Sequence, residues 1–234
     1  MPTLSYHCLE LLLIAYNARN RAILDAQRPN ALTPDSIVAV VMAAASTEAF
    51  INKFAEHIAI FRENSIDVYS PSVLACSDVI DELEDSKAQV TAKYLIASLT
   101  LSGIAFARNK APFQDFATLI RLRNAIRHAK PASSEDSHPG TKITDGLAQR
   151  GIATPLEPGV SFAWFNRLEV PGVARWACES ARLMIVGTLD LLPATPPNAI
   201  NPFEWLNRSF RNHLGFAEPD PISGASTAST SAQG

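Results

Sequence analysis

The chain is poor in glycine, in charged side chains and in the short motifs that hold metals or phosphates. Only 10 of its 234 residues are glycine and 18% are charged, whereas 47% are hydrophobic. It contains no glycine-rich phosphate-binding loop, no H-E-x-x-H zinc motif and no G-x-S-x-G turn around a nucleophilic serine. Its 5 histidines show no metal-ligand spacing. The sequence therefore predicts a globular protein that uses no metal and no cofactor.

Cysteine and long apolar runs are also scarce. Cys8, Cys76 and Cys178 form no C-x-x-C pair, which favours buried free thiols in a reducing compartment. The longest apolar run, Ile37 to Ala45, is too short to cross a bilayer, and the first residues lack the basic start of a signal peptide. With a net charge of -3, binding to a polyanion would depend on a local basic patch. We therefore expect a cytoplasmic protein with no membrane contact.

Alanine, leucine and helix-start signals predict an all-α fold. Thr33-Pro34-Asp35 combines a capping residue, a first-turn proline and an acid, and Ser70-Pro71 and Asn201-Pro202 repeat this pattern. The predicted helices cover residues 5–27, 34–62, 71–86, 88–107, 112–130, 171–192 and 202–213. The predicted helix over 34–62 is apolar on all sides near its start and should be central.

Two segments do not fit this helical pattern. Residues 131–170 are rich in proline and glycine and predict a long loop insertion, with a short extended piece between 160 and 170 around Trp164. Residues 218–234 are mostly Ser, Ala, Thr and Gly and predict a disordered tail. The chain is thus expected to form a single helical domain over 1–217, interrupted by the insertion.

The segment from residue 108 to residue 130 concentrates positive charge. It holds six basic residues and one acid. At about 100° per residue, one arc of the helix predicted over 112–130 is apolar and should face the core; it comprises Leu119, Leu122, Ala125, Ile126 and Ala129. The opposite arc mixes the cations with Phe116 and Ile120, which predicts a cleft or a subunit interface.

Three residues of this helix form a set suited to cutting RNA without a metal. Asn124 and His128 are four residues apart and Arg123 flanks them, so we expect the three to share one accessible wall. An imidazole can transfer a proton near neutral pH, and a guanidinium can hold phosphate oxygens with paired donors. Spacing of this kind also arises by chance, and a histidine at a helix end can simply cap carbonyl groups.

The segment FQDFATLIRLRNAIRHAKP resembles the signature of the HEPN superfamily. In that signature a polar residue follows the arginine, and a histidine comes after four to six intervening residues. Arg123, Asn124 and His128 match those positions. The segment AAASTEAFINKFAEH is similar to the long early helix of such proteins, which often carries an acid near the position of Glu48. The resemblance covers residues 34–130 well and 171–192 loosely. It implies a four-helix up-and-down bundle with extra peripheral helices here, and a homodimer whose active site lies at its interface.

The same resemblance implies metal-independent RNA cleavage, often in toxin–antitoxin or defence systems. We therefore expect an endoribonuclease in which His128 transfers a proton, Arg123 binds the scissile phosphate and Asn124 orients the reacting groups. Flanking phosphates would be held by Arg121, Arg127 and Lys130. The expected partners are RNA, a second copy of the chain and a protein such as an antitoxin.

Two further interpretations stay open at this stage. Glu48 is either a supporting acid, which would need Arg123 or Arg127 as its cationic partner, or an ordinary exposed glutamate. The whole chain could instead be a non-catalytic helical module that binds protein or nucleotide, with its basic face on an acidic surface such as the 63–85 segment of a partner. An open cleft around His128 with Arg123 beside it favours the enzyme, and a buried, capped imidazole with no opening favours the module.

Overall fold

The computed structural model describes residues 7–28, 33–63, 70–128, 138–156, 163–194 and 203–211. Over these ranges the chain is all-α, as predicted, with eight α-helices, one 3-10 turn at Asn166–Leu168 and no strand. In chain order the helices are α1 (His7–Asp25), α2 (Asp35–Glu63), α3 (Pro71–Asp85), α4 (Val90–Ser102), α5 (Phe113–Arg127), α6 (Pro139–Gln149), α7 (Pro171–Leu189) and α8 (Glu204–Arg211).

The helical bundle is built around α2. This helix packs against α1, α3, α4, α5 and α7, and α7 in turn packs against α1, α5 and α8. Near the start of α2, Ala39, Val40, Ala43 and Ala44 are fully buried, because neighbours cover the helix on several sides. The prediction of a central helix here is confirmed.

The length of α2 also gives it the properties of a membrane-spanning segment. Residues Asp35–Ile60 are long and apolar enough to cross a bilayer by length and composition, although the nine-residue run within them is not. Half of the most apolar window is buried inside the protein, as it is for the core helix of a soluble protein. The segment is therefore weak evidence for a membrane protein.

The connection after α4 begins earlier than predicted. Helix α4 ends at Ser102 rather than near residue 107, because Gly103 adopts a left-handed conformation with φ 75° and its N–H donates to the Leu99 carbonyl. This is a common glycine C-cap. The backbone then turns, and the Phe106 N–H donates to the hydroxyl of Ser98 at 2.9 Å. The chain consequently reaches α5 along the side of α4.

The prediction of a long loop over 131–170 is wrong for much of its length, because α6 lies within it. His138 caps this helix by accepting a hydrogen bond from the Gly140 N–H, and Pro139 occupies the first turn, where no N–H is needed. Trp164, predicted on an extended piece, instead lies just before the 3-10 turn and is buried. Residues 129–137 and 157–162 and the predicted tail lie outside the described residues.

The three cysteines are buried free thiols, as predicted. Burial raises the pKa of Cys8, of Cys76 and of Cys178 to about 12, so each thiol stays protonated at neutral pH.

His57 makes the stability of the bundle depend on pH. It lies on α2 with 4% of its surface exposed, and its ring centroid is 4.9 Å from that of Phe203. Burial lowers its pKa to about 4, against a smaller opposing effect of Glu56. The unfolded chain takes up this proton near pH 6.5, whereas the folded chain does so only near pH 4. Protons therefore favour the unfolded state between these two values.

We predict that the free energy of unfolding falls as the pH drops from about 6.5 to about 4. Urea unfolding at a series of pH values measures this. The variant His57→Gln should lose that part of the pH dependence, whereas His7→Gln, at an exposed position on α1, should retain it. Identical pH profiles for wild type and His57→Gln would contradict the prediction.

Candidate functional site

Helix α5 carries the predicted motif and is buried along more of its circumference than the sequence indicates. Leu119, Leu122 and Ala125 are buried, as predicted, whereas Ala129 lies outside the described residues. Phe116 and Ile120, predicted on the basic arc, also lie in the core, and the Phe116 ring is 4.6 Å from that of Tyr94. The mixture of cations and large apolar groups therefore arises from packing within the chain.

Arg123 belongs to this buried side of α5. It follows Leu119 and Ile120 by about one turn, and its Nη2 donates to Oε2 of Glu48 on α2 at 2.9 Å. The Arg123 side chain is 17% exposed and that of Glu48 is 47% exposed. The Arg123 Nε is buried and has no hydrogen-bond partner among the described residues. Glu48 is thus half-buried and paired with one of the two cations predicted for it.

A second cation, Lys93 of α4, contacts α2 one turn after Glu48. The Lys93 Nζ, on α4, donates to Oδ1 of Asn52 at 2.9 Å and is also paired with Glu84 of α3. Burial lowers the pKa of Lys93, and the charge of Glu48 acts in the opposite direction. Glu48 and Asn52 therefore form a polar row on α2 that ties α5 and α4 to it.

Helices α5 and α6 lie antiparallel, and a pocket of about 590 Å³ opens between them. Asp115 in the first turn of α5 pairs with Arg150 at the end of α6 at 2.7 Å, so the opposite ends of the two helices also meet. The polar residues that line the pocket are Arg121, Asn124 and His128 from α5 and His138 and Lys142 from α6. The apolar lining comes from Ala125, Pro139 and Ile143. Its volume is in the range of small-molecule sites.

The structure brings together part of the predicted set. Asn124, His128 and Arg121 are exposed and line the pocket. Arg123 does not line it, because it lies about 140° away from His128 around the helix axis and faces α2. Arg127 is exposed outside the pocket lining, and Lys130 falls outside the described residues. The expected common wall for Arg123 and His128 is therefore not formed within this chain.

Among the described residues that line it, the pocket has the cations Arg121 and Lys142 and no acid. Two acids of the described part of α5 and α6 are engaged elsewhere: Asp115 pairs with Arg150 and accepts from the Trp176 indole, and Asp145 pairs with Arg167 at 2.7 Å. Arg121 donates to the hydroxyl of Thr118. The pocket is therefore suited to an anion.

His138 is the residue of this site that sequence reasoning missed. Its ring stacks on Trp164 with the centroids 5.0 Å apart and the planes 14° from parallel. The available signal was the order His-Pro-Gly-Thr, which can start a helix with a capping residue and a first-turn proline. The surrounding prolines and glycines favoured a loop instead.

The chain matches no protein-family model, no curated protein and no solved structure. The HEPN resemblance therefore depends on the residues of this sequence alone. In the part of the chain that the structure describes, no three His, Cys, Asp or Glu side chains are placed to hold a metal ion.

The Arg123–Glu48 pair should stabilise the attachment of α5 to α2 more than an exposed pair does. We predict a coupling of about 1 kcal/mol or more in a double-mutant cycle of Arg123→Met and Glu48→Gln, measured by urea unfolding. The matched control is Arg62 with Asp78, whose side chains are 57% and 62% exposed at 3.0 Å. Its coupling should stay below about 0.5 kcal/mol. Equal coupling in the two pairs would show that Arg123 contributes no more than a surface cation.

Proposed function

We propose that the pocket between α5 and α6 cleaves RNA without a metal ion. The observation that carries the proposal is that Asn124 and His128 open into one pocket whose described lining includes the cations Arg121 and Lys142 and no acid. An imidazole in such a place can act on a bound phosphodiester, because the surrounding charge attracts the polyanion to it.

The side chains that line the pocket determine the proposed cleavage reaction. His128 accepts the proton of a ribose 2′-hydroxyl, and the resulting oxygen attacks the adjacent phosphorus. The 5′-oxygen leaves with a proton, which yields a 2′,3′-cyclic phosphate and a free 5′-hydroxyl. Negative charge grows on the phosphoryl oxygens as phosphorus becomes five-coordinate, and the Arg121 guanidinium can hold two of them. Asn124 orients the substrate through its amide.

A second imidazole is needed to protonate the leaving oxygen while His128 acts as the base. In the proposal a second copy of the chain provides it through its own α5, in the homodimer that the HEPN resemblance implies. A role in a toxin–antitoxin or defence system, with a protein partner and a cytoplasmic location, comes from the same resemblance.

Arg123 has a different role here from the expected one, which was to bind the scissile phosphate. Its guanidinium is engaged by Glu48 and faces away from the pocket, so we assign it to positioning. By holding one side of α5 against α2, it turns Asn124 and His128 towards α6. We therefore assign binding of the scissile phosphate to Arg121, which lines the pocket.

We predict that the purified protein cleaves single-stranded RNA in the presence of EDTA and that His128→Ala abolishes cleavage, because the base is lost. Gel electrophoresis of labelled RNA measures this, and detection of the cyclic phosphate end identifies the mechanism. The control is His7→Ala, at an exposed histidine on α1 outside the pocket, which should cleave like the wild type. Cleavage that survives His128→Ala, or that needs added metal, would contradict the proposal.

Variants of the ion pair separate the two roles of Arg123. If Arg123 positions α5, then Glu48→Gln and Arg123→Gln should lower the cleavage rate to a similar extent. If Arg123 instead holds the phosphate, only Arg123→Gln should do so, because Glu48→Gln leaves the guanidinium in place.

A second candidate function is binding of RNA or nucleotide without cleavage. It is favoured by one observation: the arginine of the HEPN-like motif is held by Glu48 and does not line the pocket with His128. A protein that binds single-stranded RNA with a strong salt dependence but never cleaves it would fit this function.

A further inference from the structure

The ring of His138 is held in one orientation from two directions. One face stacks on Trp164, and Nδ1 accepts a hydrogen bond from the Gly140 N–H at 3.0 Å. The close packing of Trp164 on the start of α6 depends on glycine at 140, because a Cβ there would lie 2.5 Å from the indole ring. His138 is therefore fixed at the edge of the pocket by groups that make no use of its other nitrogen.

This hydrogen bond also determines the chemistry of the ring. Because Nδ1 accepts, the neutral imidazole carries its proton on Nε2. The cap of α6 uses the Nδ1 lone pair, so the Nε2–H is the hydrogen-bond donor that the ring has left. His138 is thus suited to donating a hydrogen bond, as neutral histidines at helix N-termini can do.

We propose that α6 supplies the phosphate-binding wall of the pocket, with His138 as a fixed neutral donor and Lys142 as the accompanying cation. The Nε2–H of His138 donates to a non-bridging phosphate oxygen. Lys142 follows His138 by one turn, so both lie on the same side of α6, opposite Arg121 of α5. The identification of the ligand as RNA rests on the proposed function, but the binding itself can be tested without cleavage.

The size and lining of the pocket fit one nucleotide of a single strand. Ile143 and Pro139 give the α6 wall an apolar part next to its two polar donors, which suits the ribose and base beside a phosphate. A volume of about 590 Å³ accommodates a single nucleotide unit but not a double helix. The two histidines then have separate tasks, since His128 moves a proton and His138 holds the phosphate.

The test is binding of the full chain to a short, fluorescently labelled, single-stranded 2′-fluoro RNA, which lacks the 2′-hydroxyl and cannot be cleaved. Fluorescence anisotropy gives the dissociation constant. His138→Asn retains a good capping side chain but removes the ring donor, and Lys142→Gln removes the cation. Each should weaken binding roughly tenfold, and Lys142→Gln should also reduce the salt dependence by about one released ion. The control is Arg62→Gln, which removes a cation outside the pocket and should bind like the wild type.

Wild-type affinity in both His138→Asn and Lys142→Gln, or losses no larger than that of Arg62→Gln, would overturn the proposal. Should His138→Asn unfold, the affinity and salt slope of Lys142→Gln still decide. If RNA cleavage depends on His128 but neither His138→Asn nor Lys142→Gln weakens binding, this inference alone is rejected. Binding that needs His138 and Lys142, without cleavage of ordinary RNA, would support it and reject the proposed ribonuclease.

Discussion

The buried side of α5 fixes the rotation of this helix, through Phe116, Leu119 and Leu122 together with the Arg123–Glu48 ion pair, and the site depends on that rotation. A helix is rigid about its axis, so fixing Arg123 against α2 also fixes the direction of every other side chain. Asn124 and His128 lie about 100° and 140° further round, which turns them towards α6 rather than α2. Phe116, about two turns before Arg123 on the same side, is buried in the core and supports the same orientation. Fold and site therefore share one constraint.

Helix α6 supplies the second wall of the pocket from within the same chain. The Asp115–Arg150 pair joins one end of the antiparallel pair α5 and α6, and Trp164 packs on the start of α6 at the other end. The pocket thus has one wall with the exposed imidazole of His128 and one wall with the imidazole of His138, which Trp164 and Gly140 hold in place. A ligand between the two walls would contact a cation on each side, Arg121 and Lys142, and apolar side chains as well.

The sequence is informative where local pattern and tertiary packing agree. The central position of α2 and the apolar stripe of α5 could be predicted from it, whereas for Glu48 it leaves open both a pairing with a cation of α5 and an ordinary exposed position. Helix α6 was not predicted, because the prolines and glycines on both sides of its start signal favoured a loop. Gly140 is needed there by Trp164, 24 positions later in the chain, and no local pattern contains that contact. A helical wheel likewise orders Arg123 and His128 around α5 but does not show where α2 and α6 lie.

The most direct measurement is NMR of the imidazole groups in protein with labelled histidine, during titration with a short 2′-fluoro RNA. The chain has only 5 histidines, and His7 and His57, which lie outside the pocket, serve as internal controls. We predict that the resonances of His128 and His138 shift together, that His138 has its proton on Nε2, and that buried His57 does not respond. Ligand that moves neither pocket histidine, or a His138 ring protonated on Nδ1, would contradict it.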